Sequence, residues 1–353
     1  MTRVRHALTQ AWNNQGGWGG QLLTFMLLPI SWGFGGLVKI RRQLYWHGLL
    51  KQHTLPVPVI VVGNVMVGGV GKTPVTMALV QHLKNKGMHV GVLSRGYGRN
   101  TANTPSIQAV TQKSTAQDVG DEPLLIARTC QVPVYVGSNR AAAGQALLAA
   151  HPDVNILVCD DGLQHWQLAR TLELCVFDER GVGNGHLLPS GPLREPWPRQ
   201  AVNKHVTPCF LVKTSGQAGP DEFAVQRNLA NFAQQANGTQ RLLQSWRDMH
   251  VQALAGIAKP HVFFDMLRQQ GLTLSHTQAL PDHADLQAVH IDASQGDVLC
   301  TEKDAVKLWD KYPYAWAVPL ETTLPAELLQ AIDQHIATAQ HAKLSFHHGH
   351  KTA

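Results

Sequence analysis

Carboxylates are absent from the first third of this chain. The first Asp or Glu after Met1 is Asp118, so 117 residues carry 12 Lys/Arg and no acid, whereas the remaining 236 carry 18 basic and 24 acidic residues. A net charge of +6 over 353 residues therefore hides a segment of about +12 followed by one of about −6. Such asymmetry suits a polyanionic partner for the N-terminal part, whether nucleic acid, nucleotide phosphates or an anionic membrane surface. Cysteine is scarce too. Cys130, Cys159, Cys175, Cys209 and Cys300 are unevenly spaced with no C-x-x-C pair, which argues against a disulfide framework or a zinc site and fits a reducing compartment. There are no internal repeats or low-complexity blocks, and the 31 Gly and 19 Pro show no period. With 44% hydrophobic content, a disordered or collagen-like chain is excluded, and a globular protein of roughly two domains is left.

Charge is also missing between Arg5 and Lys39, a run of 33 residues whose apolar heart is the 17 residues Leu22–Val38. A spanning helix needs about 20, and Pro29, Gly33, Gly35 and Gly36 weaken a straight span. A secretory signal fits poorly, because Arg3 and Arg5 stand far ahead of the apolar run and no A-x-A-like site follows it. Leu37, Ile40 and Leu44 share one helical face, and Tyr45 and Trp46 add interfacial rings. The segment is therefore expected to lie in the headgroup layer, each nearby Lys or Arg contributing on the order of 1 kcal/mol toward anionic lipid. The alternative is a helical hairpin packed on the protein's own core. If the segment spans, Lys39, Arg41, Arg42 and Lys51 keep the rest of the chain cytoplasmic.

Val57–Val62 reads as a buried strand, residues 63–71 as a glycine-rich loop, and Lys72 onward as a helix with Pro74 in its first turn. That is the context of a phosphate-binding loop. The cradle is expected over Val67, Gly68, Gly69, Val70, Gly71, Lys72, Thr73 and Pro74, whose backbone N–H groups, Pro74 excepted, would turn toward phosphate oxygens at a helix N-terminus, with Lys72 on the β- and γ-phosphates and the Thr73 hydroxyl on Mg²⁺. One departure is Met66, where the usual spacing has Gly. A second strand, Val154–Cys159, ends in Asp160-Asp161, a pair suited to holding the metal directly or through water. Together these imply ATP or another nucleoside triphosphate with Mg²⁺, on a mostly parallel sheet whose ligands gather at the strands' carboxyl ends.

Eight motifs occur in order: VGNVMVGGVGKTP (62–74), SRGYGR (94–99), VGDEPLLIA (119–127), DDGLQH (160–165), SGPLREP (190–196), GIAKPHVFF (256–264), PDH (281–283) and TEKDAVK (301–307). From about residue 20 to about residue 335 the chain resembles the tetraacyldisaccharide 4′-kinase, or lipid A 4′-kinase, family. The resemblance implies transfer of the ATP γ-phosphoryl group to the 4′-hydroxyl of an acylated glucosamine disaccharide 1-phosphate. This would occur on a monotopic enzyme of two α/β domains at the cytoplasmic face of the inner membrane. It assigns Asp121 as the catalytic acid of the GDE motif, His283 as its assistant, and His165 as the histidine of the DGxQH motif. It also makes Asp160 and Asp161 the metal-associated pair and places Arg194 and Glu195 in the site, Glu195 with Thr73, Asp160 and Asp161 around the metal. Leu163 replaces a phenylalanine common in the family, and Ala284 a second histidine.

Each residue also has a plainer reading. Asp121 could be a helix cap, His165 a hydrogen-bonded scaffold residue, Arg194 an ion-pair partner of Glu195, and TEKDAVK a solvated helix face with no catalytic role. The glycines of SRGYGR could simply shape a strand exit, with Arg95 and Arg99 contacting anionic groups. The rival functions are a membrane-associated partitioning ATPase, which typically carries a lysine where Val67 stands, and a non-catalytic nucleotide-dependent scaffold. No nucleic-acid recognition fold is visible, and no obligate protein partner is evident.

Strands are expected near 57–62, 89–93, 132–136, 154–159 and 173–177, and a second set near 206–212, 250–255, 297–301 and 314–318, with helices near 74–86 and 121–130. The expected class is α/β, a P-loop NTPase-like doubly wound sheet with a second, smaller α/β domain. The expected segments are a membrane-associating 1–51, a nucleotide-binding 52–175, a second domain 176–335 and a polar, His-rich tail 336–353 that holds His347, His348 and His350.

Overall fold

The computed structural model describes residues 2–101, 104–203, 207–282, 284 and 286–348. His283 lies outside the described residues. The helices, in chain order, are α1 (Thr2–Trp12), α2 (Gly17–Trp46), α3 (Lys72–Asn85), α4 (Ala116–Val119), α5 (Asp121–Cys130), α6 (Arg140–Ala150), α7 (Pro260–Gln269), α8 (Glu302–Leu308) and α9 (Ala326–His348). The strands are β1 (Val59–Gly63), β2 (Val90–Ser94), β3 (Ile107–Ala109), β4 (Val134–Gly137), β5 (Ile156–Asp160), β6 (Leu172–Phe177), β7 (Cys209–Lys213) and β8 (Glu222–Ala224), followed by β9 (Gln226–Leu229), β10 (Phe232–Gln234), β11 (Gln240–Leu242), β12 (His250–Ala255), β13 (Thr273–Ala279), β14 (Val298–Thr301), β15 (Trp316–Val318) and β16 (Leu320–Thr323).

The chain groups into two compact units, each discontinuous in sequence. The first comprises residues 1–72, 155–225 and 325–353, the second residues 73–154 and 226–324. The segments expected from sequence are linear, whereas each unit collects distant stretches. In the first unit the strands run β5-β1-β6-β7-β8, all parallel. The strand expected near 206–212 as part of a second domain is thus β7, paired to β6. β1 is Val-Ile-Val-Val-Gly, buried throughout, the β-branched run of a strand covered on both faces. In the second unit β2 and β4 pair in parallel and β3 lies antiparallel to β4. A further sheet there runs β11-β10-β15-β14-β12-β13, its β15-β14-β12-β13 portion parallel. Its two faces carry separate cores, one built on Trp246, Phe263 and Trp316, the other on Leu254, Val298 and Leu308. Mostly parallel sheets with interspersed helices are the α/β class expected.

α2 runs unbroken through Pro29. The helix is held on both sides of the proline: Ser31 Oγ donates to the Leu187 carbonyl at 2.9 Å and Ser190 Oγ to the Thr24 carbonyl at 2.7 Å. These bonds tether the helix on either side of a residue that has no N–H of its own to donate. Leu22, Phe25, Met26, Ile30, Leu37 and Ile40 are exposed, so although α1 and α2 form a hairpin, most of the apolar side chains of α2 are not packed into a core of this chain. By length and composition α2 could cross a membrane. Tyr45 corrects the expectation of an interfacial ring: it is buried, edge-on to Trp166 with ring centroids 6.0 Å apart, and the Arg41 guanidinium lies 5.0 Å from the Trp166 ring. The expected tail also begins inside α9, where Ile332 and Ile336 are buried.

Candidate active site

The phosphate loop of the first unit follows from its glycines. After β1 the backbone turns through Gly68 and Gly71 at φ of 106° and 83°, conformations open to glycine, and α3 begins at Lys72 as expected. Several side chains and strands fix the loop from outside. Thr214 Oγ1 donates to the Val70 carbonyl at 2.7 Å, Val67 N–H donates to the Pro192 carbonyl at 2.9 Å, and Arg180 Nη2 donates to the Gly69 carbonyl at 3.1 Å. Arg180 is itself held by Asp178, its Nε 2.9 Å from Oδ2, so a guanidinium stands against the loop. Sequence reading missed Arg180; its signal is the Asp-Glu-Arg that follows β6.

β5 pairs with β1 in a register that sets Asp160 opposite Val62, placing the Asp160-Asp161 pair at the carboxyl end of the sheet beside the loop's origin. Asp160 is fully buried, and Asp161 adopts φ of 50°, a left-handed conformation that Asp tolerates better than most residues. Lys72 Nζ lies 3.6 Å from Asp161 Oδ1, and Arg194 Nη1 lies 3.3 Å from both Asp161 oxygens. Gln164 joins the two motifs: its Nε2 donates to Glu195 Oε1 at 2.8 Å and to the Asn64 carbonyl at 2.9 Å, while its Oε1 accepts from Arg194 at 3.4 Å. Lys72, Asp161, Arg194 and Glu195, which the sequence nominated separately, thus share one network. Arg194 pairs with Asp161 rather than with Glu195, whose cationic partner is Arg199 at 3.3 Å.

His165 is half-buried in the loop that carries these groups. Arg170 organises that loop, donating to the carbonyls of Leu163 and Leu168 at 3.1 Å each and to the carbonyl of His165, and pairing with Glu173 at 3.0 Å. Glu173 also pairs with Arg199. Nothing in the local sequence of Arg170 marks it for this task, because the acceptors are main-chain groups.

The acid site of the second unit is built on α5. Gly120 (φ 94°) ends α4 and starts α5, and a Cβ there would stand 2.8 Å from the Tyr97 carbonyl; a Cβ on Gly96 would stand 2.8 Å from the Val119 carbonyl. The SRGYGR and GDE motifs approach through two glycines that admit nothing larger, which gives the glycines of SRGYGR their shaping role. Arg99 Nη2 donates to the Ser106 carbonyl at 3.0 Å, and Arg95 is exposed. Asp121 is the first residue of α5, so it is not the cap that the plainer reading makes it. It is 5% exposed, and its Oδ1 accepts from Glu122 N–H at 3.0 Å. Its Oδ2 faces Lys307 Nζ at 3.4 Å and Lys303 Nζ at 4.0 Å, and Lys303 also reaches Glu122 Oε1 at 3.1 Å and Asp282 Oδ1 at 3.2 Å. Burial opposes the charge of Lys303, yet Glu122, Asp121 and Asp282 together hold its ammonium above the ordinary lysine range. Exposed pairs contribute below about 1 kcal/mol, whereas stripping one partner from a buried pair costs roughly 3–5 kcal/mol; this cluster belongs to the second regime. Both lysines lie in TEKDAVK, for which the plainer reading is a solvated helix face. The structure overturns that reading.

Oxygen donors suited to Mg²⁺ are Thr73, Asp160, Asp161 and Glu195, all hard ligands. Asp161 and Glu195 also carry cationic or amide partners, and Asp160 is fully buried at the carboxyl end of β5. Among the described residues no group of three or more His, Cys, Asp or Glu converges, as expected where phosphate oxygens and water complete the shell. Asn64, at the end of β1, keeps both side-chain polar atoms buried without a hydrogen-bond partner.

A family model described as tetraacyldisaccharide-1-P 4′-kinase matches residues 23–337. Among similar proteins, the tetraacyldisaccharide 4′-kinase of Acidovorax ebreus (strain TPSY) is 49% identical over 332 residues, 94% of each chain. That of Polaromonas naphthalenivorans (strain CJ2) is 44% identical over 357 residues, 99% of this chain and all of the relative. The crystal structure of LpxK from Aquifex aeolicus in complex with ATP superposes with a TM-score of 0.75 at 28% identity, covering 89% of this chain and 99% of that one. None of these relatives is a partitioning ATPase. The ordered motifs, the phosphate loop with its Asp160-Asp161 pair, and a match over nearly the whole length lead to one conclusion: the chain belongs to the tetraacyldisaccharide-1-P 4′-kinase family.

Proposed function

We propose that the two constellations divide the labour of the family's reaction, in which the ATP γ-phosphoryl group passes to the 4′-hydroxyl of tetraacyldisaccharide 1-phosphate. The backbone N–H groups of residues 68–73 cradle the triphosphate, and Lys72 neutralises its β- and γ-oxygens. Thr73 and Asp160 hold Mg²⁺, with Asp161 and Glu195 around it; the ion, when bound, offsets charge on the transferring group. Arg194 and Arg180 add guanidinium donors suited to phosphate geometry. His165 lines the site on the loop that Arg170 braces. Asp121 accepts the sugar hydroxyl's proton, assisted by His283.

The single observation that supports this division best is Asp121: a nearly buried carboxylate at a helix start, with one oxygen on a backbone N–H and the other facing an ammonium. A group that only capped a helix would not need that enclosure. The exposed apolar stripe of α2, followed by Lys39 and Arg42, supports a peripheral or monotopic seat on the cytoplasmic face of the inner membrane, within a membrane-associating segment 1–51. The test incubates purified protein with Mg·ATP and the diglucosamine 1-phosphate lipid in detergent and follows added phosphate by mass spectrometry. Wild type is expected to phosphorylate the lipid, and Asp121→Asn to lose at least about a hundredfold in kcat while ATP affinity stays near wild type. Absence of lipid phosphorylation by wild type would sink the reading.

A further inference from the structure

TEKDAVK has four charged side chains, and three of them, Lys303, Asp304 and Lys307, tie α8 to other motifs. Lys303 and Lys307, four residues apart, lie on one face of α8, both about 15% exposed. Lys303 touches Glu122 of the GDE motif and Asp282 of the PDH motif, while Lys307 touches Asp121 and donates to the Ala284 carbonyl at 3.2 Å. Asp304 points elsewhere: its Oδ2 accepts from Gly256 N–H at 2.9 Å and from Thr301 Oγ1 at 2.6 Å. A Cβ on Gly256 would stand 2.9 Å from Asp304 Oδ1, so any larger residue at the start of GIAKP would displace that carboxylate. Three motifs more than 130 residues apart at their extremes therefore meet on one helix of seven residues. Ala305 and Leu308 bury that helix in one core, and Val306 buries it against Val119, Leu124 and Val136 in another.

We propose that α8 is the positioning element of the acid site, with Lys303 and Lys307 as positioning residues that hold Asp121 ionised and in one rotamer. The proposal rests on the reading of Asp121 as the base. A helix that merely joined two loops could do so through Glu122 and Asp282. Here Lys307 instead places its ammonium on Asp121 Oδ2, opposite the oxygen that Glu122 N–H already fixes, so both carboxylate oxygens are restrained. Among the described residues, charged groups that face this pair include Glu122 on α5, Lys303 and Lys307 on α8, and Asp282 in the PDH turn; His283 lies outside the described residues. Glu302 and Asp304 are turned to the Leu320 and Gly256 N–H groups.

An adjacent cation favours the charged form of a carboxylate and lowers its pKa. Replacing the lysine by a neutral side chain of similar length must therefore raise the pKa of Asp121, and the base is then lost at higher pH as the solution is acidified. The experiment measures kcat/KM for the lipid against pH for wild type, Lys307→Met and Lys307→Arg. ATP binding and thermal melting report whether each variant is folded, and Lys303→Met serves as a second neutralising variant. The expected result is an acidic limb displaced upward by about 1 pH unit in Lys307→Met. It should return to within a few tenths in Lys307→Arg, with KM for ATP changed less than about twofold in both. An unmoved limb in folded Lys307→Met and Lys303→Met, with Asp121→Asn inactive, would overturn the positioning role and leave the base in place. Wild-type turnover by Asp121→Asn would remove the base itself, and this proposal with it.

Discussion

The phosphate loop of the first unit and the acid cluster of the second are ordered by different means. Around Lys72 the groups that matter are main-chain N–H groups of residues 68–73, and the glycines at 68 and 71 supply the turn with φ of 106° and 83°. Around Asp121 no contiguous stretch is sufficient. Its carboxylate is set by Lys307, 186 residues away, and Glu122 by Lys303, 181 residues away. A site made of backbone keeps its donors when a remote side chain such as Arg180 is changed, because they belong to the loop itself. A site made of buried ion pairs does not, because each partner stays charged and desolvated when the other is removed. The first arrangement suits a ligand common to many proteins, and the second a group whose protonation state must be held.

The sharpest way to break this contrast is at Gly120. Gly120→Ala forces a side chain into φ of 94° and within 2.8 Å of the Tyr97 carbonyl, which is expected to cost about 2 kcal/mol or more. Urea denaturation would read the stability loss, and turnover should fall with it although no catalytic atom has been removed. A wild-type unfolding midpoint would show that the two glycine contacts are not tight. On the other side of the contrast, Arg180→Ala should raise KM for ATP roughly tenfold, about 1.4 kcal/mol, and leave the pH profile of kcat unchanged, since Arg180 bears on the loop and not on Asp121. A displaced acidic limb would erase the division drawn above. The smallest effect is expected for Thr301→Ala. Thr301 caps α8 by accepting from Asp304 N–H at 3.2 Å, and losing it should cost about 1 kcal/mol, visible as a lower melting temperature with the lysine contacts largely kept.

Much of the fold was legible. Alternating buried strands and helices marked an α/β chain, and β1, β5 and β12 fall within a residue or two of their expected positions; in β1 and β5 the continuous run of Val, Ile and Leu has few other ways to be buried. The phosphate loop was legible for a similar reason, its chemistry being written in consecutive residues. Tyr45 was misjudged because an aromatic residue next to a basic one looks the same whether it faces lipid or, as here, Trp166 and Arg41. TEKDAVK was misjudged because a dense charge run is ordinarily solvated; burial opposite three carboxylates is a property of the partners. Arg170 left no trace, since carbonyl oxygens have no sequence.

By itself the sequence determined the class of fold, the glycine-rich loop that opens α3 at Lys72, and, through eight ordered motifs, the family. These are encoded in local periodicity and in short stretches where glycine, lysine and acid act on their neighbours. Only the tertiary structure decided that each compact unit is assembled from separated stretches, that Arg194 meets Asp161 and not Glu195, and that the two lysines of α8 enclose Asp121. Those outcomes depend on which charges are desolvated together, and desolvation is settled by packing between residues far apart in the chain.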